Sequence, residues 1–256
     1  MSRFSGFSSL FRFSFLFLTS LISCLISCQT SAADVKALLK EADAYRLTAD
    51  SMRVDTEVRT FKGEQPDKTR LYHVYVKPGR RSLVVFRSPA ERGQKMLMLG
   101  DDFWLVLPAS QRPLRITPMQ KLLGDASTGD IASLTWAEDY DGQVTGEAPI
   151  EGVPCLKLDI AGQRKGVSYP RIVLYLAKSD RRPVHAELYV ASDKLAKEAA
   201  FKIGEVNGRK VVTLMTLTDR IQRERRTEVH YLARTPKALG DEFYNPAFLV
   251  RADIEQ

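Results

Sequence analysis

Cysteine and histidine are both scarce in this sequence, with three of each among 256 residues. Three cysteines, at positions 24, 28 and 155, do not make a disulfide framework, which excludes a small stapled secreted domain. The histidines, His73, His185 and His230, stand far apart in the chain, so a histidine-rich metal centre is excluded as well. Long hydrophobic runs are also missing. The longest, Phe13 to Cys28, is mostly apolar but rich in serine, and it falls short of the roughly 20 residues that span a bilayer. A polytopic membrane protein is therefore ruled out. Neither sign of charge dominates, with 38 basic against 31 acidic residues. What is abundant is apolar side chain, 44% of the sequence, enough to bury a sizeable core in one domain or two small ones.

The familiar catalytic signatures are absent too. There is no Gly-x-Gly-x-x-Gly, no phosphate-binding loop and no His-Glu-x-x-His. The nearest approach to a nucleophile elbow is Gly124-Asp-Ala-Ser-Thr-Gly129. It fails because Asp125, not glycine, stands two residues before Ser127. No catalytic residue, metal or cofactor is assigned, and the chain is not read as an enzyme. The densest basic stretch, 219–226, is interleaved with Asp219 and Glu224 and reads as a solvated strand edge rather than a nucleic-acid surface.

Residues 1–33 read as an export signal: Arg3 and Arg12, an apolar run, then small residues at Ser31-Ala32-Ala33 suited to cleavage before Asp34. A second processing reading stays open. Leu21-Ile-Ser-Cys24 and Leu25-Ile-Ser-Cys28 both look like a lipobox, in which Cys24 or Cys28 would carry a lipid. Either way the mature domain, 34–256, is expected in the periplasm, free or anchored to the outer membrane. Cys155, the thiol left in the soluble form, sits in a strand-like run and reads as a small buried hydrophobe.

The mature chain opens with an amphipathic helix over 34–49, in which Val35, Leu38, Leu39, Ala42 and Tyr45 share a face. The period then drops to two. Met52, Val54, Thr56 and Val58 face one way, and Arg53, Asp55, Glu57 and Arg59 the other, as in an antiparallel strand with one wet face. Strand-like runs follow at 68–77, 82–87, 95–99, 103–107 and 114–117. They resume at 141–147, 153–161, 171–177, 183–191, 199–206, 210–218 and 223–233. Asn207-Gly208 is the clearest hairpin turn. The tail beyond Pro236 is short and apolar. No βαβ alternation appears, so the fold class is mainly β: antiparallel strands curled into an unclosed barrel, with the N-terminal helix and a helical insert over the mouth.

The run from Leu83 to Tyr140 carries a resemblance. Leu83-Val-Val-Phe-Arg-Ser-Pro89, Gly93, Met96-Leu-Met-Leu99, Asp102-Phe-Trp-Leu-Val-Leu-Pro108 and Arg112 to Ile116 resemble the outer-membrane lipoprotein-sorting protein family (LolA-like). The segment from Gly124 to Tyr140 is similar to that family's helix-bearing insert. The resemblance implies a half-barrel whose apolar cavity holds the acyl chains of lipids or lipoproteins. It also implies a lipid or lipoprotein carrier or chaperone of the cell envelope, with an inner-membrane transporter as a candidate further partner. A lipidated outer-membrane receptor, a transporter's accessory subunit and an envelope hydrolase are the competing functions. Cavity candidates are Met96, Met98, Trp104, Leu122, Leu123 and Trp136. The break in alternation over 118–134, with Gly124, Gly129, Ile131 and Leu134, is expected to form a lid that competes with cargo. The family's lid is held by an arginine, and Arg53 and Arg59 are candidates by position only. A monomer that binds no nucleic acid is expected.

Overall fold

The computed structural model describes residues 32–110, 112–116, 130–131, 135–222, 224–252 and 254. Helix α1 (Ala32–Asp43) ends six residues before the sequence pattern does. Its continuation is taken by the sheet: the Tyr45 carbonyl accepts from Val212 N at 2.8 Å, and the Tyr45 hydroxyl donates to the Asp180 carbonyl. Leu47 and Ala49 still pack on the core from the connection that follows.

Thirteen strands then form one antiparallel sheet: β1 (Met52–Lys62), β2 (Gln65–Lys77), β3 (Arg81–Phe86), β4 (Lys95–Leu99), β5 (Asp102–Val106), β6 (Leu114–Ile116), β7 (Tyr140–Ile150), β8 (Val153–Gly162), β9 (Arg171–Ala177), β10 (Pro183–Tyr189), β11 (Leu195–Val206), β12 (Arg209–Asp219) and β13 (Arg225–Pro236). The spatial order is β6-β5-β4-β3-β2-β1-β13-β12-β11-β10-β9-β8-β7. The first and last strands thus meet at the centre, and two meanders run outward to the free edges β6 and β7. The sheet is not closed. The stretch between Ile116 and Tyr140 joins one edge to the other.

Alternation decides what each face buries. On β1, Met52, Val54, Thr56 and Val58 are buried, while the charged residues between them are more exposed. One apolar cluster gathers Val54 of β1, Phe103 of β5, Leu158 of β8 and Leu217 of β12 together with Val35 and Leu39 of α1. Strands from both wings reach the same cluster, so the sheet curls around that face, with α1 against it. At the β11–β12 hairpin, Asn207 and Gly208 both have positive φ (51° and 74°), the backbone that a two-residue turn requires.

The outer face carries a second cluster. Tyr75, Leu83, Val85, Leu97 and Val106 are covered by the tail after β13, through Tyr244, Leu249 and Ile254. In that tail helix α2 (Pro246–Leu249) starts with proline in its first turn and Asn245 as its cap, whose side chain accepts from Ala247 N at 2.9 Å. Cys155 is fully buried in a third, small cluster with Val173 and Tyr175, as its strand position suggested, and burial pushes its thiol pKa up. The basic stretch 219–226 is not at a sheet edge. It forms the tip between the central strands β12 and β13, where the Asp219 carboxylate accepts from Ile221 N and Gln222 N.

Candidate functional site

The inner face of the curled sheet is the feature with the means to bind something. Along β4, Met96 and Met98 point inward and Leu97 outward, as period two demands. Met96 lines a groove of about 320 Å³ with Phe86, Leu105, Leu114 and Ile116, beside edge strand β6. Met98 lines a cleft of about 330 Å³ between the α1–β1 connection and the β2–β3 hairpin. The floor of that cleft is apolar, with Leu47, Ala49 and Val76, and Lys77, Arg80, Arg81 and Arg209 stand around it. A third cavity, about 60 Å³, lies deeper, among Trp136, Tyr140, Ile172, Leu188, Phe201 and Met215.

Trp136 is the anchor of the deep cavity. Its backbone N–H donates to both carboxylate oxygens of Asp43, at 2.8 and 2.9 Å, and Ala137 N donates to the same group. The Arg46 guanidinium lies over the Trp136 ring, 4.3 Å from its centre, and Phe201 meets the ring edge-on. Asp43 closes α1 and Arg46 lies in the turn just past it, so the end of the helix fixes the chain just before β7. Burial raises the Asp43 pKa to about 6, opposed by Arg46 and by the two backbone donors. Asp139 is likewise raised to about 6 by burial, opposed by Arg80. On the other side of the cavity, Lys197 Nζ donates to Asp130 at 2.8 Å, and the Tyr169 hydroxyl donates to the other Asp130 oxygen.

Of the residues expected from sequence, Met96, Met98 and Trp136 lie on the inner face, and Ile131 is buried there with them. Trp104 does not join them. It is on β5 opposite Leu97, and it packs in the outer cluster under the tail. Adjacent strand residues point to opposite faces, so with Phe103 inside Trp104 must be outside. Leu122, Leu123, Gly124, Gly129 and Leu134, like Ser127, Cys24 and Cys28, lie outside the described residues. Arg53 and Arg59 point outward and pair with Asp55 and Glu57. His73 and His230 also lie outside the interior, against Asp55 and Glu228, and the described residues contain no cluster that could hold a metal ion.

Asp43, Arg46, Asp130, Tyr169 and Lys197 were not singled out by the sequence. For Lys197 a signal existed: it shares alternation with Ala199 and Phe201, both of which line the deep cavity. For Asp43 and Arg46 there was none, because a charged residue in an amphipathic surface helix is ordinarily solvated.

A family profile described as "-like: Uncharacterized protein" matches residues 79–251. No curated protein matches the chain. Among solved structures, a LolA superfamily protein from Nitrosomonas europaea is 27% identical, with a TM-score of 0.75 over 82% of this chain and 96% of that one. A DUF1329 family protein from Desulfovibrio piger is 26% identical, with a TM-score of 0.68 over 84% and 98%. An outer membrane lipoprotein-sorting protein domain from Vibrio parahaemolyticus shares the fold at 20% identity, with a TM-score of 0.71 over 86% and 100%. The chain belongs to the family that this profile describes, and its fold is that of the LolA superfamily and DUF1329 proteins.

Proposed function

We propose that this protein is an exported carrier of the bacterial envelope that shields acyl chains of lipids or lipoproteins against the inner face of its open sheet. The observation that carries the reading is the interior itself: a continuous apolar face on an unclosed sheet, with Met96, Met98 and Trp136 opening onto grooves and a cavity. Each methylene taken out of water is worth roughly 0.8 kcal/mol, so a long chain is held by enclosed apolar surface and needs no catalytic centre. Methionine suits a surface that must accept flexible chains. The names of the relatives from Nitrosomonas europaea and Vibrio parahaemolyticus point the same way. The expected place of work is the periplasm, after loss of residues 1–33.

Native mass spectrometry of protein purified from its own envelope tests this. Co-purifying lipid or lipoprotein is expected, and a mature N-terminus at Asp34 marks the free carrier. A diacylated Cys24 or Cys28 instead selects the anchored receptor. A second readout uses the two tryptophans, which lie on opposite faces. In Trp104→Phe the remaining Trp136 reports on the interior, and its emission is expected to shift when a long-chain lipid is added. Protein that carries no lipid from the envelope and leaves Trp136 unmoved contradicts the reading.

A further inference from the structure

The interior of the sheet contains an ion pair that its apolar surroundings do not require. Lys197 Nζ sits 2.8 Å from Asp130, with side chains only 9% and 4% exposed. The Tyr169 hydroxyl donates to the same carboxylate at 2.9 Å. Asp130, Tyr169 and Ser168 line the deep cavity, and Ser168 Oγ is buried there with no hydrogen-bond partner among the described residues. A buried pair of this kind adds little stability, because desolvating two charges offsets their attraction, and apolar replacements of both are often neutral or better. Breaking such a pair is different. The charge left behind is buried and uncompensated.

The two partners come from different parts of the chain. Lys197 is fixed on β11, well inside the sheet. Asp130 belongs to the connection between the two free edges, next to Ile131, which is 5% exposed and packs into the same apolar cluster. The cavity of about 60 Å³ is well below the roughly 300–1,000 Å³ typical of small-molecule sites. An acyl chain therefore enters only by displacing side chains of the cavity wall, and Asp130 is part of that wall. A neutral amphiphile in the place of Asp130 leaves Lys197 buried without an anion. An anionic one supplies the missing acceptor.

We propose that the interior selects amphiphiles with an anionic head group, a carboxylate or a phosphate, which replaces the Asp130 carboxylate on Lys197 Nζ and takes further hydrogen bonds from the Tyr169 and Ser168 hydroxyls. This rests on the reading of the inner face as an acyl-chain site. It adds the chemical class of the cargo.

The full mature chain is titrated, with Trp136 emission as readout, using two matched pairs: palmitate against hexadecanol, and phosphatidate against the diacylglycerol with the same chains. The anionic member of at least one pair is expected to bind roughly tenfold tighter or more, as a charge-assisted hydrogen bond supplies. A preference confined to palmitate assigns a carboxylate, and one confined to phosphatidate a phosphate. Asp130→Asn removes the internal competitor and should strengthen anion binding. Lys197→Met should erase the preference while neutral binding survives. Since that variant leaves Asp130 buried alone, Lys197→Met/Asp130→Leu is measured beside it, because both charges then leave together. Equal affinity within both pairs, or a preference that persists in the double variant, overturns the proposal and leaves the acyl-chain reading intact. Failure of all four ligands to bind overturns both.

Discussion

Asp43 shows what a single buried acid does to the pH dependence of this protein. Its carboxylate accepts three backbone N–H bonds from Trp136 and Ala137, yet burial outweighs them and lifts its pKa from 3.8 to about 6. The folded protein then holds a proton that the unfolded chain releases, so between about pH 4 and pH 6 the native state binds more protons. Stability contributed by this group is present at the acid end of that window and is lost as the pH rises through about 6. Asp139 acts in the same sense over the same window. The melting temperature is therefore expected to fall from pH 4 to pH 6 and to level off above. In Asp43→Asn the fall should be shallower, leaving the part due to Asp139. An unchanged slope in that variant would place the proton elsewhere. None of this was legible in the sequence, where Asp43 stood inside the expected helix over 34–49 as an ordinary polar residue.

At the scale of elements, period-two alternation made the strands visible one by one, because each has one buried and one wetter face. Thirteen runs in the sequence correspond to thirteen strands, with shifted ends: β11 starts at Leu195 instead of 199, and the helix stops at Asp43. Alternation also fixed which methionines share a face. It could not show that the turns of one wing reach the other. Arg80, between β2 and β3, pairs with Asp101 of the β4–β5 turn at 2.7 Å and with Asp139 before β7 at 3.1 Å. Arg164, between β8 and β9, pairs with the same two acids. A Cβ added to Gly166 would lie 2.6 Å from the Asp101 Cβ, so the loop comes this close only because residue 166 has no side chain. These contacts clasp the open sheet at one rim. In Arg164→Ala, amide exchange should quicken in both the β4–β5 turn and the β8–β9 loop, more than sixty residues apart in sequence. The stability lost should be about 1 kcal/mol or less, since partly exposed pairs contribute little and salt screens them. Faster exchange in the β8–β9 loop alone would mean that no clasp exists.

For the whole molecule, the sequence indicated an unclosed antiparallel sheet but not its order. Pairing β1 with β13 is a contact between the two ends of the mature chain, and neither strand's own pattern names its neighbour. The same holds for the tail. Its apolar residues were plain, but the face they cover was not. Tyr75, Leu83, Val85, Leu97 and Val106 are all buried, and they belong to the outer face that would meet solvent if the chain stopped at Pro236. The tail is also tied down by polar contacts: Lys95 Nζ donates to the Leu249 and Ala252 carbonyls, and Asp241 pairs with Lys77 and Arg81. Burying one large apolar side chain is worth roughly 1.5–3 kcal/mol. Uncovering part of five such side chains therefore removes a large share of a typical stability of about 5–15 kcal/mol. Deleting residues 237–256 leaves every strand of the sheet in place, so the inner face should keep its architecture while the outer face becomes an exposed apolar patch. The truncated protein is expected to melt well below the full chain and to self-associate, read by calorimetry and by light scattering. Truncation before β13 is more severe, because it removes the strand that joins the two wings. That shorter chain should show no cooperative unfolding at all. A monomeric 34–236 fragment that melts with the full chain would show that the tail is not part of what holds the sheet together.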